Sequence, residues 1–412
     1  MKLLHTSDWH LGHTLHDVAR DLEHEAFLDW LLETIGKRRV DALLVAGDVF
    51  DTANPSARAQ SLFYRFLTEA RRRYERLQVV IVGGNHDSAD RLDAPTPLLD
   101  ELGIHVVGGL SRGPDRRLDL ERLVVPLRDA EGTVRAWVAA VPFLRPADLP
   151  PMAGVEDPLV EGVRAIYQEV FEEIRRRRGP GEAIVGMGHL YMSGTALSEL
   201  SERRILGGNQ HALPHDLFPD DVAYVALGHL HRPQAVGRAS VRYSGSPLPL
   251  SLAEIDYPHQ VCLVELEGEA LASVEAIRVP RTVEMLRIPK SGALGKEEAL
   301  EALRALPEAE GRDPERRPFL ELRVALDRPD PTLRYEVESA LEGKYARLVR
   351  LAVDLGGDGK TLADRVAKRM LDELGPEVVF ENRWKKSYEG APPPELLEAF
   401  LSLVHEIEEG VR

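Results

Sequence analysis

Short runs of aliphatic and β-branched residues alternate with longer amphipathic stretches over about the first 280 residues. This alternation predicts an α/β fold in which a layered β-sandwich is flanked by helices. In the stretch Glu23–Lys37, for example, Phe27, Leu31 and Ile35 recur at the spacing of one helix face. The predicted strands are Lys2–Thr6, Ala42–Ala46, Val79–Val82, His105–Val107, Trp137–Val141, Ala183–Met187, Val222–Ala226 and Val261–Leu266. The predicted helices are Glu23–Lys37, Pro55–Tyr74, Thr96–Leu102 and Pro158–Arg177.

The pattern changes near Val279-Pro280, where a smaller α+β module is predicted. Its order is strand, helix, strand, helix and strand, over Val283–Ile288, Lys296–Leu306, Phe319–Leu326, Pro331–Leu341 and Arg347–Val353. Glycines at 356, 357 and 359 then break the chain before two predicted amphipathic helices, Leu362–Leu374 and Pro394–Glu409. Two such helices bury little surface alone, so they should pack on another domain or on a partner. We therefore expect three domains, over residues 1–279, 280–355 and 356–412.

Composition narrows the class of protein. The 412 residues contain one cysteine, Cys262, which excludes an intramolecular disulfide framework and any site built from several thiolates. Polar residues return directly after Leu3 and Leu4, so no signal peptide is expected, and no apolar run reaches the length of a membrane span. These features predict a soluble protein of the reducing cytoplasm.

The charge is strongly acidic, with a formal net value of −16. Such a surface repels bulk nucleic acid, so a polyanionic substrate would require bound cations, local arginines or a second subunit. Short basic runs occur, for example Arg71–Arg73 and Arg175–Arg178. We interpret these runs as solvated helix ends or loops.

Clusters of metal-binding residue types lie just past five of the predicted strands. Carboxyl ends of strands gather ligand groups at one edge of an α/β sheet. Glycine stands directly before the polar group in four of the five clusters, which lets the backbone turn sharply. The clusters are Asp8-Trp9-His10, Gly47-Asp48, Gly84-Asn85-His86-Asp87, Gly188-His189 and Gly228-His229-Leu230-His231.

The residue types predict a metal site. Imidazole, carboxylate and carboxamide without thiolate suit Mn²⁺, Fe²⁺, Zn²⁺ or Mg²⁺, and the share of nitrogen suits Mn²⁺ better than Mg²⁺. Two ions ~3.5–4 Å apart, bridged by a carboxylate, would use all the groups and activate a water for displacement at phosphorus. The seven expected ligands are Asp8, His10, Asp48, Asn85, His189, His229 and His231.

In this order the five motifs resemble the calcineurin-like metallophosphoesterases. Longer stretches resemble, more narrowly, the bacterial SbcD family, the nuclease subunits of SbcCD complexes. These stretches are Ser7–Gly12, Ala46–Thr52, Gly84–Ser88, Ala226–Gln234 and Tyr243–Pro247. The resemblance extends to the expected architecture of nuclease domain, capping domain and C-terminal helices.

The resemblance also implies individual roles. One ion would be bound by Asp8, His10, Asp48 and His231, and the second by Asp48, Asn85, His189 and His229, so that Asp48 bridges the two. His86 would not bind metal but would face the scissile phosphate and protonate or stabilise the leaving oxygen. Asp87 would orient a neighbouring histidine. Archaeal and eukaryotic relatives carry a histidine where this chain, like bacterial members, has Asp51, and we assign Asp51 no role.

The implied function is a Mn²⁺-dependent DNA nuclease of repair, recombination and replication. It would act as a 3′-5′ exonuclease and structure-specific endonuclease, as a homodimer within a heterotetramer with the coiled-coil ATPase SbcC. One alternative is a nucleotide or small-molecule phosphoesterase, against which the capping module argues. The Gly47-Asp48 motif also lacks the following arginine that is typical of protein phosphatases, which argues against the same alternative. A second alternative is a DNA-end scaffold whose metals are structural.

Two further expectations concern packing. Leu62, Phe63, Phe66 and Leu67 form an apolar face that is predicted to be core, with a two-fold interface as the alternative. His13 and His16 follow the first motif closely and are candidates for substrate contact. The histidines interpreted as structural are His5, His24, His105, His211, His215, His259 and His405.

Overall fold

The computed structural model describes residues 1–195 and 212–355, apart from 114, 116 and 153, and residues 380, 383, 384, 392, 393, 396, 397, 400 and 401. The described residues form two compact units, which divide between Met285 and Leu286. The predicted helix Leu362–Leu374 lies wholly outside the described residues, and Pro394–Glu409 lies largely outside them.

The first unit contains short strands and three long helices. Its strands are β1 (Lys2–Thr6), β2 (Thr14–Leu15), β3 (Val18–Ala19), β4 (Ala42–Ala46), β5 (Gln78–Val82), β6 (Ile104–Val107), β7 (Val124–Arg128), β8 (Val134–Ala140), β9 (Ala183–His189), β10 (Val222–Gly228), β11 (Gln234–Val236), β12 (Arg238–Tyr243), β13 (Gln260–Glu267) and β14 (Ala270–Arg278). Its helices are α1 (Asp21–Arg38), α2 (Ala57–Arg73), α3 (Ala89–Asp93), α4 (Thr96–Asp100), α5 (Leu120–Leu123) and α6 (Pro158–Arg177).

Twelve of these strands form two six-stranded sheets, in the orders β14-β13-β1-β4-β5-β6 and β11-β12-β10-β9-β8-β7. Four neighbouring strands of each sheet are parallel, namely β1, β4, β5 and β6 in the first and β12, β10, β9 and β8 in the second. Antiparallel strands complete the sheets, with β13 and β14 on one side of the first and β11 and β7 at the two edges of the second. Parallel order matters for function because all these strands end at the same edge of their sheet.

Alternating residues divide the first sheet between two cores. Leu44 and Val82 point into one apolar cluster together with residues of the second sheet, such as Val225. Leu43 and Ile81 point the opposite way and pack against α1 and α2. The predicted apolar face of α2 (Leu62, Phe63, Phe66 and Leu67) is buried in this second cluster, so its interpretation as core is confirmed. Helix α6 packs on β7 and β8, and the predicted β-sandwich flanked by helices is confirmed.

The second unit is a small sheet covered by two helices. Its elements are β15 (Met285–Ile288), β16 (Leu294–Gly295), α7 (Lys296–Arg304), β17 (Phe319–Leu326), α8 (Leu333–Ala340) and β18 (Arg347–Leu355). Strand β17 pairs in parallel with both β16 and β18. Leu320, Leu322 and Val324 of β17 pack with Leu303 and Val337 of the helices. The predicted order of three strands and two helices is confirmed, with β16 as an addition.

Candidate metal centre

The polar clusters lie at the carboxyl ends of β1, β4, β5, β9 and β10. Hydrogen bonds join the sheets at this edge, among them His189 Nδ1 to the carbonyl of Ala46 at 3.0 Å and the backbone N–H of His229 to Asp8 Oδ1 at 2.9 Å. The structure therefore brings together residues that lie up to 223 positions apart in the chain, from Asp8 to His231.

The backbone at this edge adopts unusual conformations. Asp8, His10, Asp48 and His229 all have positive φ, at 54°, 46°, 49° and 105°. Side chains other than glycine disfavour this region, and such residues cluster at functional sites because the surrounding structure holds them there. Four of the predicted ligands thus share a strained backbone.

Glycines permit the close approach of the loops. A Cβ atom on Gly84 would lie 2.1 Å from Asp48 Oδ1, and one on Gly228 would lie 1.8 Å from the carbonyl oxygen of Ala46. Any larger residue would displace the atoms that position the cluster. This contact explains why glycine precedes the polar residues at these two positions.

Asp8, His10 and His231, called the first ligand group below, offer ligand atoms within 4.8 Å of one another. Each of its histidines contacts a carboxylate through Nδ1: His10 to Asp51 Oδ1 at 3.2 Å and His231 to Glu254 Oε1 at 2.9 Å. Because a carboxylate accepts hydrogen bonds, Nδ1 carries the proton and Nε2 is the nitrogen with the lone pair in the neutral ring.

Asn85, His189 and His229, called the second ligand group below, also converge. The Oδ1 atom of Asn85 lies 2.9 Å from Nε2 of His189 and 3.3 Å from Nδ1 of His229. Ligand atoms that share one ion through bonds of ~2.1 Å lie about 3 Å apart when they are adjacent in its coordination shell. His189 donates its Nδ1–H to the backbone carbonyl of Ala46, so in the neutral ring its Nε2 presents a lone pair to the group.

Asp48 lies between the two groups. Its Oδ2 is 3.2 Å from His189 Nε2 and 3.6 Å from His10 Nε2, and its Oδ1 accepts the backbone N–H of His86 at 2.9 Å. Burial raises the pKa of Asp48, but charge interactions with His189, His86 and His10 outweigh burial and hold that pKa well below its usual range. Burial lowers the pKa of His189, and Asp48 more than reverses this, raising it to about 9.

The donor set fits divalent cations. Nε2 of His10 is buried and has no hydrogen-bond partner among the described residues. Burying such a nitrogen without a partner is costly, and a cation would satisfy it. Oxygen and imidazole donors without sulfur match Mn²⁺, Fe²⁺, Zn²⁺ or Mg²⁺.

His86 occupies the open side of the cluster. It is only partly buried, whereas Asp8, His10 and Asp48 are buried. One of its ring nitrogens lies within 4.8 Å of ligand atoms of His10 and Asp48. Its Nδ1 donates to the backbone carbonyl of Asp51 at 2.8 Å, so any proton that the ring exchanges passes through Nε2.

The contacts of Asp87 differ from the expectation. Its carboxylate accepts backbone N–H groups of Val49, Phe50 and Gly84 at 3.1, 2.9 and 2.9 Å, rather than a hydrogen bond from a histidine ring. Asp87 therefore fixes the loops that carry Asp48 and Asn85. Burial and the charge of Asp48 raise the pKa of Asp87 to about 6, against the opposing effect of these backbone N–H groups.

Sequence reasoning missed the residues that support the histidines. Asp51 contacts His10 through its side chain and His86 through its backbone. Glu254 is fully buried, accepts the N–H of His231 and also accepts the backbone N–H of Leu250 at 2.8 Å. Asp51 follows Asp48 by three residues and could have been found by proximity, but no sequence signal marks Glu254.

The remaining sequence interpretations concern residues outside the cluster. His5 bonds to Tyr224 and to the carbonyl of Leu227 in the core, which agrees with its structural interpretation. The arginine runs lie at the ends of α2 and α6 and pair with acidic residues, for example Arg72 with Glu69 and Arg175 with Asp221. None of the described helices combines the length and apolar character that a bilayer crossing requires.

Comparisons with known proteins agree with this geometry. A family model described as calcineurin-like phosphoesterase matches residues 1–233. A second model, described as type 5 capsule protein repressor C-terminal domain, matches residues 281–388.

Three relatives are named as the SbcD subunit of the nuclease SbcCD. The protein of Rhodobacter capsulatus is 46% identical, over 86% of this chain and 87% of its own. That of Escherichia coli K12 is 38% identical over 69% and 70%, and that of Bacillus subtilis is 32% identical over 99% of each chain.

Proposed function

The chain belongs to the calcineurin-like phosphoesterases and, within them, to the SbcD nuclease subunits, and from this premise we propose that it is a metal-dependent DNA nuclease. It cuts double-stranded ends as a 3′-5′ exonuclease and cleaves structures such as hairpins as an endonuclease, in DNA repair, recombination and replication. The observation that carries the proposal is the convergence of two ligand groups on Asp48, with His86 beside them.

The proposed cofactor is a pair of divalent ions, Mn²⁺ in preference to Mg²⁺ because the donors are rich in nitrogen. The first ligand group and Asp48 hold one ion, and the second ligand group and Asp48 hold the other. When bound, such ions neutralise the charge of a phosphodiester and activate a water as the nucleophile.

His86 supplies the acid in this proposal. Its ring is held by the carbonyl of Asp51, which fixes Nε2 as the nitrogen that protonates or stabilises the leaving oxygen. Asp51 and Glu254 orient His10 and His231, and Asp87 orders the loops under Asp48.

We further propose that the chain works with SbcC in the cytoplasm, as a homodimer within a heterotetramer, with residues 280–355 as a DNA-binding capping domain and residues 356–412 binding SbcC. SbcC would supply much of the cationic path that a chain of net charge −16 lacks. The exposed Leu98 and Leu102 support a two-fold contact, because 74% and 41% of their surfaces are accessible.

A nucleotide or small-molecule phosphoesterase remains the alternative, because the same donors serve any phosphate ester. Metal-stripped protein should be supplied with Mn²⁺ and assayed on linear duplex, hairpin DNA, bis-p-nitrophenyl phosphate and p-nitrophenyl phosphate. Cleavage of DNA and of the bis-ester, with little hydrolysis of the monoester, is expected. Preferred hydrolysis of the monoester would support the alternative, and inactivity on every substrate would support a DNA-end scaffold.

A separate experiment tests the proposed partner. The protein should be purified from its native proteome, and a long coiled-coil ATPase is expected to co-purify with it.

A further inference from the structure

The two ligand groups differ in the chemistry that supports their histidines. In the first group, His10 and His231 each direct Nδ1 toward a carboxylate, that of Asp51 at 3.2 Å and that of Glu254 at 2.9 Å. In the second group, His189 directs Nδ1 toward the neutral backbone carbonyl of Ala46 at 3.0 Å. His229 contacts the neutral carboxamide of Asn85.

The carboxylates within the cluster do not distinguish the groups. Asp8 offers a ligand atom within 4.8 Å of those of His10 and His231, and also of those of Asp48 and His189. Asp48 lies between the groups, and its charge therefore does not distinguish them either. The difference is the two supporting carboxylates, Asp51 and Glu254, which contact histidines of the first group.

The supporting carboxylates should strengthen cation binding at the first group. Affinity for a divalent cation rises with the number of charged ligands, and a carboxylate behind a histidine raises the basicity of the ligating nitrogen. Loss of such a supporting carboxylate typically weakens metal binding about 10–100-fold.

We propose that the two cation positions are unequal, with the ion at the first ligand group bound more tightly and Asp51 and Glu254 acting as positioning residues for it. This inference rests on the proposed two-ion function. The ion at the second group then exchanges more readily. The fraction of enzyme that carries both ions therefore depends on how fully the site of Asn85, His189 and His229 is occupied at a given cation concentration.

The test is a titration of the metal-stripped full-length protein with Mn²⁺ alone, in which free Mn²⁺ is followed by electron paramagnetic resonance. Two classes of site are expected, with affinities at least about 10-fold apart. Asp51→Asn and Glu254→Gln should weaken the tighter class about 10–100-fold and leave the weaker class within about threefold. Asp51 is partly exposed, so its variant keeps the test valid if the buried Glu254 variant fails to fold.

Two further variants sharpen the assignment. Asn85→Asp adds a negative charge to the second group and should raise the Mn²⁺ affinity of the weaker class of site. The difference in affinity between the two classes should therefore decrease. Glu173→Gln is the matched control, because Glu173 is a largely buried carboxylate that pairs with Arg176 and Arg177 on α6. It should leave both classes unchanged.

The possible failures are distinguishable. Two ions of equal affinity, or weakening of the looser class by Asp51→Asn, would overturn the inequality and leave the proposed function standing. A protein that binds no Mn²⁺ would overturn both.

Discussion

The ring Nδ1–H of His86 donates a hydrogen bond to the backbone carbonyl of Asp51 at 2.8 Å. The backbone N–H of the same histidine donates to Asp48 Oδ1 at 2.9 Å. The loop after β4 thus fixes both the backbone and the ring of His86. The ring is partly exposed and lies beside the ligand atoms of His10 and Asp48. In the proposed mechanism, the Nε2 atom of this ring exchanges a proton with the substrate.

Replacing His86 with glutamine should lower the rate of Mn²⁺-dependent DNA cleavage at least about 100-fold, because an amide cannot act as a general acid. Binding of Mn²⁺ should stay within about threefold of wild type. Nuclease assays and metal titration on the same preparation measure the two effects. His105→Gln is the control, since His105 bonds to the carbonyl of Arg122 away from the cluster. Full activity of His86→Gln would remove the assignment.

Asp48→Asn should abolish stabilisation by metal. A cation at 100 times its Kd stabilises the wild-type protein by about 2.7 kcal/mol, and chelation removes that stabilisation. The variant lacks the carboxylate shared by both groups, so its melting temperature should respond little to Mn²⁺ or to a chelator. Differential scanning calorimetry measures this response. Asp221→Asn, at the other end of β10, should respond as the wild type does. An unchanged response in Asp48→Asn would contradict the bridging role.

Gly84→Ala should disrupt the site. The added methyl group would overlap Asp48 Oδ1 at 2.1 Å, and displacement of Asp48 should weaken Mn²⁺ binding at least about 10-fold. Gly186→Ala in β9 is the control, since its nearest neighbours are the Val225 methyl groups at 3.4 Å. Metal titration of both variants provides the measurement. Equal metal affinity in the two variants would show that the close contact is dispensable.

His24→Leu should stabilise the protein and flatten its pH dependence. His24 is fully buried, and neither ring nitrogen has a hydrogen-bond partner among the described residues. Burial lowers its pKa from 6.5 to about 3, so between these values the unfolded chain binds the extra proton. Above about pH 6.5, His24 is neutral in both states and the free energy of unfolding is not reduced. As the pH falls from 6.5 toward 3, the unfolded chain takes up a proton that the folded protein does not, and the free energy of unfolding decreases.

The leucine variant should gain about 1 kcal/mol at pH 7, because an unpaired buried polar group is removed. Its stability should also decline less than that of wild type between pH 6.5 and 4. Urea unfolding in the presence of a chelator measures both quantities. If the free energy of unfolding changed with pH by the same amount in both proteins, His24 would not be the titrating group.

Leu98→Glu should convert the proposed homodimer to a monomer. Leu98 is an exposed apolar residue of α4, and the substitution places a charge in the interface proposed there. Light scattering coupled to gel filtration gives the mass. Tyr335→Glu is the matched control, since Tyr335 is 75% exposed and lies on α8 of the second unit. A dimer that persists in Leu98→Glu would exclude this face.

Much of the fold follows from local pattern. The predicted strands Lys2–Thr6, Ala42–Ala46 and Phe319–Leu326 match β1, β4 and β17, because each contains a cluster of aliphatic residues that the sheet buries. Strand β14 was not predicted, because it is an edge strand in which exposed Glu275 and Arg278 obscure the alternation. Strands β7, β11 and β12 were missed as well, two of them at the edges of the second sheet.

The sequence alone determined which side chains of metal-binding type gather at one edge of the fold, since such chemistry depends on residue type and parallel strands end at one edge. It could not determine which groups contact the Nδ1 atoms of the histidines and so orient their rings. Glu254 lies in a short helical turn 23 residues beyond His231, and its contact with that ring exists only because the fold brings the segment between β12 and β13 beside the loop after β10. The contacts of Asp51 and Asp87 were likewise decided by tertiary structure, because a carboxylate bonds to whichever N–H group the fold brings within about 3 Å.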